Sequence, residues 1–257
     1  MPQDKKYNIG LVLSGGGARG FAHLGALQAL HEAKIYPDVI SGVSAGAIAG
    51  AFYAHGMAPE DIFELLKEKG VLEYSKFGFP INGLLSLDGL VREIKDNIPC
   101  EDVSDLSKPA FFAATNLNTG KVEYFSKGNL CKVVAASACI PILFSPIKMN
   151  GYQYIDGGTF DNFPVKPILN KCEKIIGVNI SPVNEIEELK SLSAIAARVF
   201  QLSVNATAHN SLRECDLLIE PQKLFKYSIL DSSAADEVYQ IGYEATKKEL
   251  EENPLED

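Results

Sequence analysis

Two short apolar runs near the start of the chain each end in a glycine-rich turn, and a helical pattern follows each turn. Residues 9–13 form the first run, Ser14-Gly-Gly-Gly17 is its turn, and leucines then recur at helical spacing. Residues 38–41 form the second run, and the small residues of 45–54 follow it. Strands that alternate with helices in this way predict a mostly parallel sheet that is covered by helices on both faces.

Later segments continue the pattern. Residues 110–117 and 121–125 are strand-like and flank Asn118-Thr-Gly120, which indicates a hairpin. Asp88 is expected to cap a helix. Residues 189–215 form a long helical stretch that we expect to be bent or broken.

The chain length of 257 residues suits one α/β domain, which we place over residues 1–257. Residues 71–87 combine phenylalanine, proline and glycine, and we interpret them as a loop or lid. A lipid-facing lid and a satellite core or dimer contact are equally good interpretations of this segment. The oligomeric state does not follow from the sequence.

Charge and cysteine usage limit the partners. The net charge of −9 excludes nucleic acid as a main partner, because phosphate backbones select basic surfaces. The five cysteines have no metal-site spacing, and we predict neither a metal nor another cofactor. The most apolar window, residues 133–144, is too short to cross a bilayer. We expect a cytoplasmic protein, with peripheral contact at the membrane surface as a further option.

A serine motif, Gly42-Val-Ser-Ala-Gly46, lies between a predicted strand and a predicted helix. In this context G-x-S-x-G acts as a nucleophile elbow, in which a tight turn projects the serine hydroxyl and small neighbours relieve crowding. We therefore predict Ser44 as the nucleophile, with Gly42 and Gly46 as supporting residues. The alternative is an ordinary glycine-rich turn that ends in a serine cap.

A glycine loop, Gly15-Gly-Gly-Ala-Arg-Gly20, also follows a strand and precedes a helix. Successive glycines let backbone N–H groups converge on an anion. A Walker loop is excluded because no Lys-Ser or Lys-Thr follows, and the dinucleotide pattern lacks its usual acidic residue on the next strand. An oxyanion hole fits better, and its predicted members are Gly15, Gly16, Gly17, Ala18 and Arg19. The Arg19 side chain holds the loop, faces the oxyanion or forms a structural ion pair.

A third motif, Asp156-Gly-Gly158, ends a predicted strand and starts a sharp turn at Gly157 and Gly158. A carboxylate at one strand end meets a serine at another strand end of the same sheet when the two strands finish at the same edge. Asp156 is thus a candidate to accept the Ser44 proton, and the alternative is an ordinary Asp-Gly-Gly turn. Nearby Asp161 is a weaker candidate, for which local turn stabilisation is the simpler role.

These motifs occur together and in this order, and the chain resembles the bacterial patatin-like phospholipases. The resemblance spans residues 9–180 and rests on the glycine loop, the serine motif, Asp156-Gly-Gly158 and Ala136-Ser-Ala-Cys-Ile-Pro-Ile-Leu-Phe-Ser-Pro146. It implies a three-layer α/β/α sandwich, a Ser44–Asp156 catalytic dyad and an oxyanion hole in the glycine loop. The family loop often begins with Asp where this chain has Ser14, with little consequence because the donors are backbone amides.

A Ser-His-Asp triad needs a histidine, and the chain has His23, His31, His55 and His209. His31 and His55 end predicted helices, where helix capping is the expected role. His23 suits a packing role behind the glycine loop. His209 follows Asp156, so the chain order Ser, Asp, His is formally available.

The motifs predict hydrolysis of acyl esters of lipids through an acyl-enzyme, as in a phospholipase, lysophospholipase or esterase. Two alternatives stay open. An acyltransferase would use the same dyad with an alcohol as acceptor, and a non-catalytic protein would bind an anion or lipid at the glycine loop. The acyl chain length and the head group do not follow from the sequence.

Overall fold

A computed structural model describes residues 5–68, 85–183, 185, 188–189, 192–209 and 211–255. Within these residues the chain forms one mixed sheet with helices on both sides. The strands are β1 (Tyr7–Leu13), β2 (Val39–Val43), β3 (Ala110–Asn116), β4 (Lys121–Phe125), β5 (Ile147–Met149), β6 (Tyr152–Asp156), β7 (Cys172–Val178) and β8 (Leu217–Ile219). The helices are α1 (Phe21–Glu32), α2 (Ala45–His55), α3 (Pro59–Lys67), α4 (Asp88–Asn97), α5 (Leu130–Ser137), α6 (Leu192–Ala208) and α7 (Ala235–Glu252).

The sheet has the order β5-β6-β3-β2-β1-β7-β8, and β4 also pairs with β3. The strands from β3 through β2, β1 and β7 to β8 are parallel, whereas β4, β5 and β6 join antiparallel. The predicted α/β class with a mostly parallel sheet is confirmed. The predicted hairpin is also confirmed, because β3 and β4 pair around a turn in which Gly120 has φ +65°.

Strand β1 shows why the sheet is covered on both faces. Leu11 and Leu13 belong to a large apolar cluster with the helices α1, α2 and α5, whereas Val12 belongs to a smaller cluster. Because side chains alternate along a strand, these residues face opposite sides of the sheet. Phe163 and Ala208 lie in the smaller cluster, so the chain after β6 and the end of α6 cover that second face.

Of three local expectations, the Asp88 cap is wrong, the break in the stretch over 189–215 is confirmed, and the loop or lid stays a prediction. Asp88 is the first residue of α4 and not its cap, since Leu87 occupies the cap position without a side-chain hydrogen bond. The stretch predicted over 189–215 forms α6 and then, after Ala208, a short 3-10 turn at Ser211–Glu214. Most of the loop or lid predicted over 71–87 lies outside the described residues.

Candidate active site

Ser44 lies on a strained turn between β2 and α2. Its backbone has φ +54° and ψ −122°, a region that residues with a side chain seldom occupy. The side chain is 5% exposed. A conformation of this kind costs free energy, and it persists only where the surrounding packing enforces it. The turn also places Ser44 at the positive end of the α2 dipole.

The packing that enforces the turn comes from backbone contacts that exclude a Cβ atom. A Cβ on Gly42 would collide with the carbonyl of Gly46, and one on Gly46 would collide with the carbonyl of Leu13. The predicted support from Gly42 and Gly46 is thus a matter of space: β1, β2 and α2 approach each other too closely for any side chain. A Cβ on Gly157 would likewise strike the carbonyl of Ala113.

Ser137 contributes a contact that sequence analysis did not identify. Its hydroxyl oxygen accepts a hydrogen bond of 3.0 Å from the backbone N–H of Ser44, and Ser137 itself is fully buried. It is the last residue of α5, within the proline-bearing segment that the family resemblance singled out. The bond connects that segment directly to the nucleophile turn.

The register of β3 explains why Ser44 and Asp156 meet. Val43 at the end of β2 pairs with Ala113, and Asp156 at the end of β6 pairs with the next residue, Ala114. β4 pairs with both alanines and occupies the other edge of β3. Strands β2 and β6 therefore approach end to end along one edge of β3, and the residue after Val43 lies beside Asp156.

The Asp156 carboxyl is fully buried. Its Oδ1 accepts a hydrogen bond of 2.8 Å from the N–H of Gly158, and its Oδ2 has no hydrogen-bond partner among the described residues. Burial raises the pKa of the carboxyl to about 7, while the neighbouring Ser44 hydroxyl and the Gly158 N–H oppose the rise. The Ser44 hydroxyl thus lies close enough to stabilise the carboxylate, although it makes no fully formed hydrogen bond to Oδ2. A carboxyl with a pKa near neutrality can accept and return a proton.

The amides of the glycine loop fall into two groups. Three of them donate to backbone carbonyls of the protein, and these are the N–H groups of Gly15, Ala18 and Arg19. The N–H groups of Gly16 and Gly17 have no acceptor among the described residues. Both residues line a pocket next to Ser44, and Gly17 has φ +59°. Of the five residues predicted for the oxyanion hole, Gly16 and Gly17 have the available donors.

The Arg19 side chain holds the loop in place. Its guanidinium donates hydrogen bonds of 2.9 to 3.4 Å to the carbonyls of Tyr227, Pro182 and Phe225. Among the described residues the guanidinium has no carboxylate partner, which favours the loop-holding role over the structural ion pair. Burial, together with the charge of Arg198, lowers the pKa of Arg19 to about 10. The side chain ties the loop to two distant segments and is engaged away from Ser44.

All four histidines are among the described residues, and none of them lines the cleft or the pocket next to Ser44. His23 is buried, donates from Nε2 to the carbonyl of Ser14 at 2.8 Å, and has its pKa lowered to about 4 by burial. His209 lines a separate cavity with Arg213. This arrangement leaves no histidine in place for a triad, and the packing role of His23 behind the loop is confirmed.

Two smaller expectations are also resolved. His31 bonds to the Tyr53 hydroxyl at 2.9 Å, and burial lowers the pKa of its imidazole, so it does not act as a charged helix cap. Asp161 accepts a hydrogen bond of 2.5 Å from the Tyr124 hydroxyl and another of 3.3 Å from the N–H of Phe163. The carboxyl of Asp161 therefore stabilises the turn after β6, as expected.

An apolar cleft opens beside Ser44, between α1, α2 and α4 and the segment after α5. Among the described residues of its lining, Ser44 is the one with a polar side chain. These residues are Gly17, Ala18, Gly20, Phe21, Leu24, Ser44, Ala45, Ile48, Ala49, Leu66, Leu87, Leu90, Ala138, Ile140 and Phe144. A cleft of this composition suits a hydrocarbon chain. Its position aligns such a chain with the serine hydroxyl.

A serine beside a buried carboxyl at the mouth of an apolar cleft is suited to acyl transfer from a lipid ester. Comparison with known families agrees: the model described as "Patatin-like phospholipase" matches residues 11–169. The chain belongs to the patatin-like phospholipase family.

Two individual relatives show the extent of the similarity. The chain is similar to "Lysophospholipase NTE1" of Candida glabrata, with 29% identity over 91% of this chain and 15% of that protein. It is also similar to an "Uncharacterized NTE family protein Mb1092c" of Mycobacterium bovis, with 32% identity over 62% of this chain and 45% of that protein. The chain thus spans less than half the length of these relatives.

The fold has a solved counterpart. The crystal structure of VipD from Legionella pneumophila superposes with a TM-score of 0.57 at 17% sequence identity, over 96% of this chain and 67% of that chain. The likeness shows that the two proteins share the fold. Separately, no helix in the described part of the chain has both the length and the apolar character that a membrane span requires.

Proposed function

We propose that the chain is a serine lipid acyl hydrolase that uses Ser44 as nucleophile and Asp156 as its general base. The observation that carries the proposal is the Ser44 hydroxyl next to a buried carboxyl whose pKa is about 7, at the mouth of an apolar cleft. The lysophospholipase relatives favour a lipid with a single acyl chain as substrate. The cleft supports the same choice because its lining is apolar along its length.

In the first half of the reaction, Asp156 takes the Ser44 proton while the serine oxygen attacks the ester carbonyl carbon. The N–H groups of Gly16 and Gly17 stabilise the negative oxygen of the tetrahedral intermediate, a contribution of about 3 kcal/mol for a single donor in other enzymes. The intermediate then collapses, the alcohol leaves with the proton from Asp156, and an acyl-enzyme remains.

In the second half, Asp156 takes a proton from water, and the resulting hydroxide attacks the acyl carbonyl. The serine oxygen leaves with the proton that Asp156 holds, and a fatty acid is released. One carboxyl thus serves as base and acid in turn, which requires a pKa close to the working pH. The burial of Asp156 supplies that condition.

A substrate panel tests the proposal. Wild type, Ser44→Ala and Asp156→Asn are compared on lysophosphatidylcholine and on p-nitrophenyl esters, and labelling by a fluorophosphonate probe is measured on the folded proteins. Hydrolysis and labelling by wild type and their loss in Ser44→Ala support the dyad. Full activity in both variants, or no adduct at Ser44, contradicts it. The absence of an adduct at Ser44 would favour the non-catalytic binding protein.

The acyltransferase alternative differs in the acceptor of the acyl group. Product analysis in the presence of glycerol or a lysolipid measures the ratio of new ester to free fatty acid. We expect free fatty acid to dominate, because relatives that match most of this chain are named lysophospholipases. A product mixture dominated by new ester would replace the hydrolase with a transferase that uses the same dyad.

Contact with a lipid surface is part of the proposal. Exposed apolar side chains recur on one face of α6 at helical spacing, namely Leu192, Ile195, Val199 and Leu202. We call them the α6 apolar face. On the same helix Phe200, Gln201 and Val204 line the pocket beside Ser44. The two sets of residues lie on opposite sides of α6, so a lipid surface on the α6 apolar face would contact the outer side of the helix that lines this pocket.

Vesicle sedimentation tests this contact. Zwitterionic phosphatidylcholine vesicles are the appropriate probe, since the net charge of −9 opposes binding to anionic lipid. We expect Val199→Glu to reduce co-sedimentation, whereas Ser203→Glu, an equal charge beside the face, has less effect. Equal sedimentation of both variants contradicts the assignment. Concentration-dependent dimers that Val199→Glu dissociates would assign the α6 apolar face to contact with a second copy of the chain.

A cytoplasmic location and a single domain over 1–257 stay predictions.

A further inference from the structure

Gln201 has an unused hydrogen-bond donor near the nucleophile. It lies on α6 and is 8% exposed, and its Nε2 has no hydrogen-bond partner among the described residues. A buried amide donor without an acceptor is unfavourable for folding, and such groups are rare outside functional sites. No catalytic step described above uses this side chain.

The orientation of the amide is fixed by Arg198. The guanidinium of Arg198 donates to Oε1 of Gln201 at 3.0 Å. A guanidinium has only donors, so the amide atom that faces it must be the oxygen. The NH₂ group of Gln201 therefore points away from Arg198, and both of its hydrogens are available to a ligand.

The pocket that Gln201 lines adjoins the proposed oxyanion site. It is a small pocket, and its lining includes Gly16, Gly17 and Ser44. Apart from the Ser44 hydroxyl, its other amide and hydroxyl side chains are engaged: Asn162 donates to Ser181 at 3.2 Å, and Ser181 donates to the carbonyl of Gly15. Apart from the nucleophile, Gln201 is thus the side chain in the described lining of this pocket whose donor atom has no partner.

Two compartments of opposite character meet at Ser44. The apolar cleft and the smaller pocket share Gly17, Ser44 and Ile140 in their linings. An ester whose carbonyl carbon lies at Ser44 has its acyl chain on one side and its alcohol on the other. The apolar cleft suits the acyl chain, which leaves the smaller pocket for the alcohol side of the ester.

We propose that the Gln201 amide binds an oxygen of the phosphate-bearing leaving group of a lysophospholipid and thereby determines substrate specificity. The proposal rests on the proposed function and adds a recognition residue to it. A phosphate oxygen is favoured over an uncharged oxygen because a charged acceptor forms the stronger hydrogen bond with an amide donor. Arg198 acts here through Gln201, whose amide it orients.

The test compares two substrates with the same acyl chain. 1-Palmitoyl-lysophosphatidylcholine carries the phosphate, and 1-palmitoylglycerol does not. Gln201→Met keeps the length of the side chain and removes the donor. We expect kcat/KM for the lysophospholipid to fall about tenfold, mainly through KM, as for a hydrogen bond to a charged group, and the loss for palmitoylglycerol to be much smaller. The control is Ser203→Ala, an exposed position on the same helix, which should change neither value.

Thermal unfolding separates recognition from a structural role. Gln201→Met removes a buried donor that has no acceptor and also the Oε1 acceptor of Arg198, so the two effects oppose each other and we expect only a small change in the midpoint of unfolding. A lowered midpoint together with equal losses on both substrates would make Gln201 a structural residue and overturn the proposal. Unchanged kinetics on both substrates would also overturn it.

Binding to inactive protein distinguishes this proposal from the proposed function. Calorimetric titration with lysophosphatidylcholine below its micelle concentration is carried out on Ser44→Ala and on Ser44→Ala with Gln201→Met. Weaker binding in the double variant supports Gln201 even if wild type hydrolyses neither substrate, in which case only the hydrolase proposal fails. Equal binding overturns the role of Gln201 and leaves the hydrolase intact.

Discussion

Replacing Asp156 by asparagine should stabilise the fold in a pH-dependent manner. The pKa of the carboxyl rises from its ordinary value of 3.8 to about 7 on folding, with burial as the main cause. Because each pKa unit corresponds to 1.36 kcal/mol, ionisation of the buried group opposes folding by about 4 kcal/mol. Asparagine has the same shape and no charge, so the variant does not bear this cost.

The pH window follows from proton binding in the two states. Between pH 4 and 7 the folded state holds a proton that the unfolded state has released, so the stability of wild type falls as the pH rises. The free energy of unfolding of Asp156→Asn minus that of wild type should therefore increase by about 1.4 kcal/mol per pH unit from pH 5 to 7. Above pH 7.5 the Asp156 carboxyl of wild type is ionised in both the folded and the unfolded state. The difference in free energy of unfolding between wild type and variant should then be constant.

Urea unfolding at pH 5, 6, 7 and 8 measures the difference, and other titrating groups cancel between the two proteins. Asp231→Asn is the control: Asp231 is exposed and its pKa is lowered by hydrogen bonds from Ser233, so its charge changes below this range. The control should differ from wild type by a constant amount. Parallel stability curves for wild type and Asp156→Asn would refute the raised pKa and, with it, the role of Asp156 as a base near neutrality.

Three further results are expected. For wild type, kcat/KM on p-nitrophenyl butyrate should rise with pH to a plateau, with a midpoint near 7, because Asp156 must be ionised to accept the proton; a flat profile from pH 5.5 to 8.5 would contradict this. Ser137→Ala should lower kcat about tenfold with KM nearly unchanged, because the Ser44 N–H loses its acceptor; steady-state kinetics measure the split. Ile48→Trp should fill the apolar cleft, so activity on palmitoyl esters should fall more than activity on butyryl esters, as a chain-length series would reveal.

The main motifs could be located from the sequence because each one is local. Glycines mark the strand-to-helix turns in the sequence, and these glycines were enough to predict Ser44 and the glycine loop. The pairing of Ser44 with Asp156 depends on the register of β3, where Ala113 and Ala114 bring together strands from distant parts of the chain. No local pattern encodes that register, and only the family resemblance joined the two residues.

Other contributors had no sequence signal. Gln201 is a polar residue within a helix, a common occurrence that acquires meaning only once Arg198 orients it toward a pocket. For Arg19 the sequence left three roles open, because the carbonyls that bind its guanidinium are more than 160 residues away in the chain. Strand β5 was missed because three residues are too few to show alternation.

The unsatisfied groups of the molecule concentrate around the proposed site. Among the described residues, the buried side-chain atoms without a hydrogen-bond partner belong to His23, Thr115, Asp156, Thr159 and Gln201. Asp156 and Gln201 adjoin Ser44 or its pocket, His23 supports the glycine loop, and the two threonines lie on the segments that flank Asp156 in β3 and after β6.

Ser44 adds a strained backbone at the same place. Unmet hydrogen bonds and strain oppose folding, and selection for stability alone would remove them. The clustering of the unmet hydrogen bonds around Ser44 indicates that this part of the molecule is maintained for chemistry. The argument is independent of the motifs, because it uses neither the glycine patterns nor the family resemblance, and it leads to the same residues.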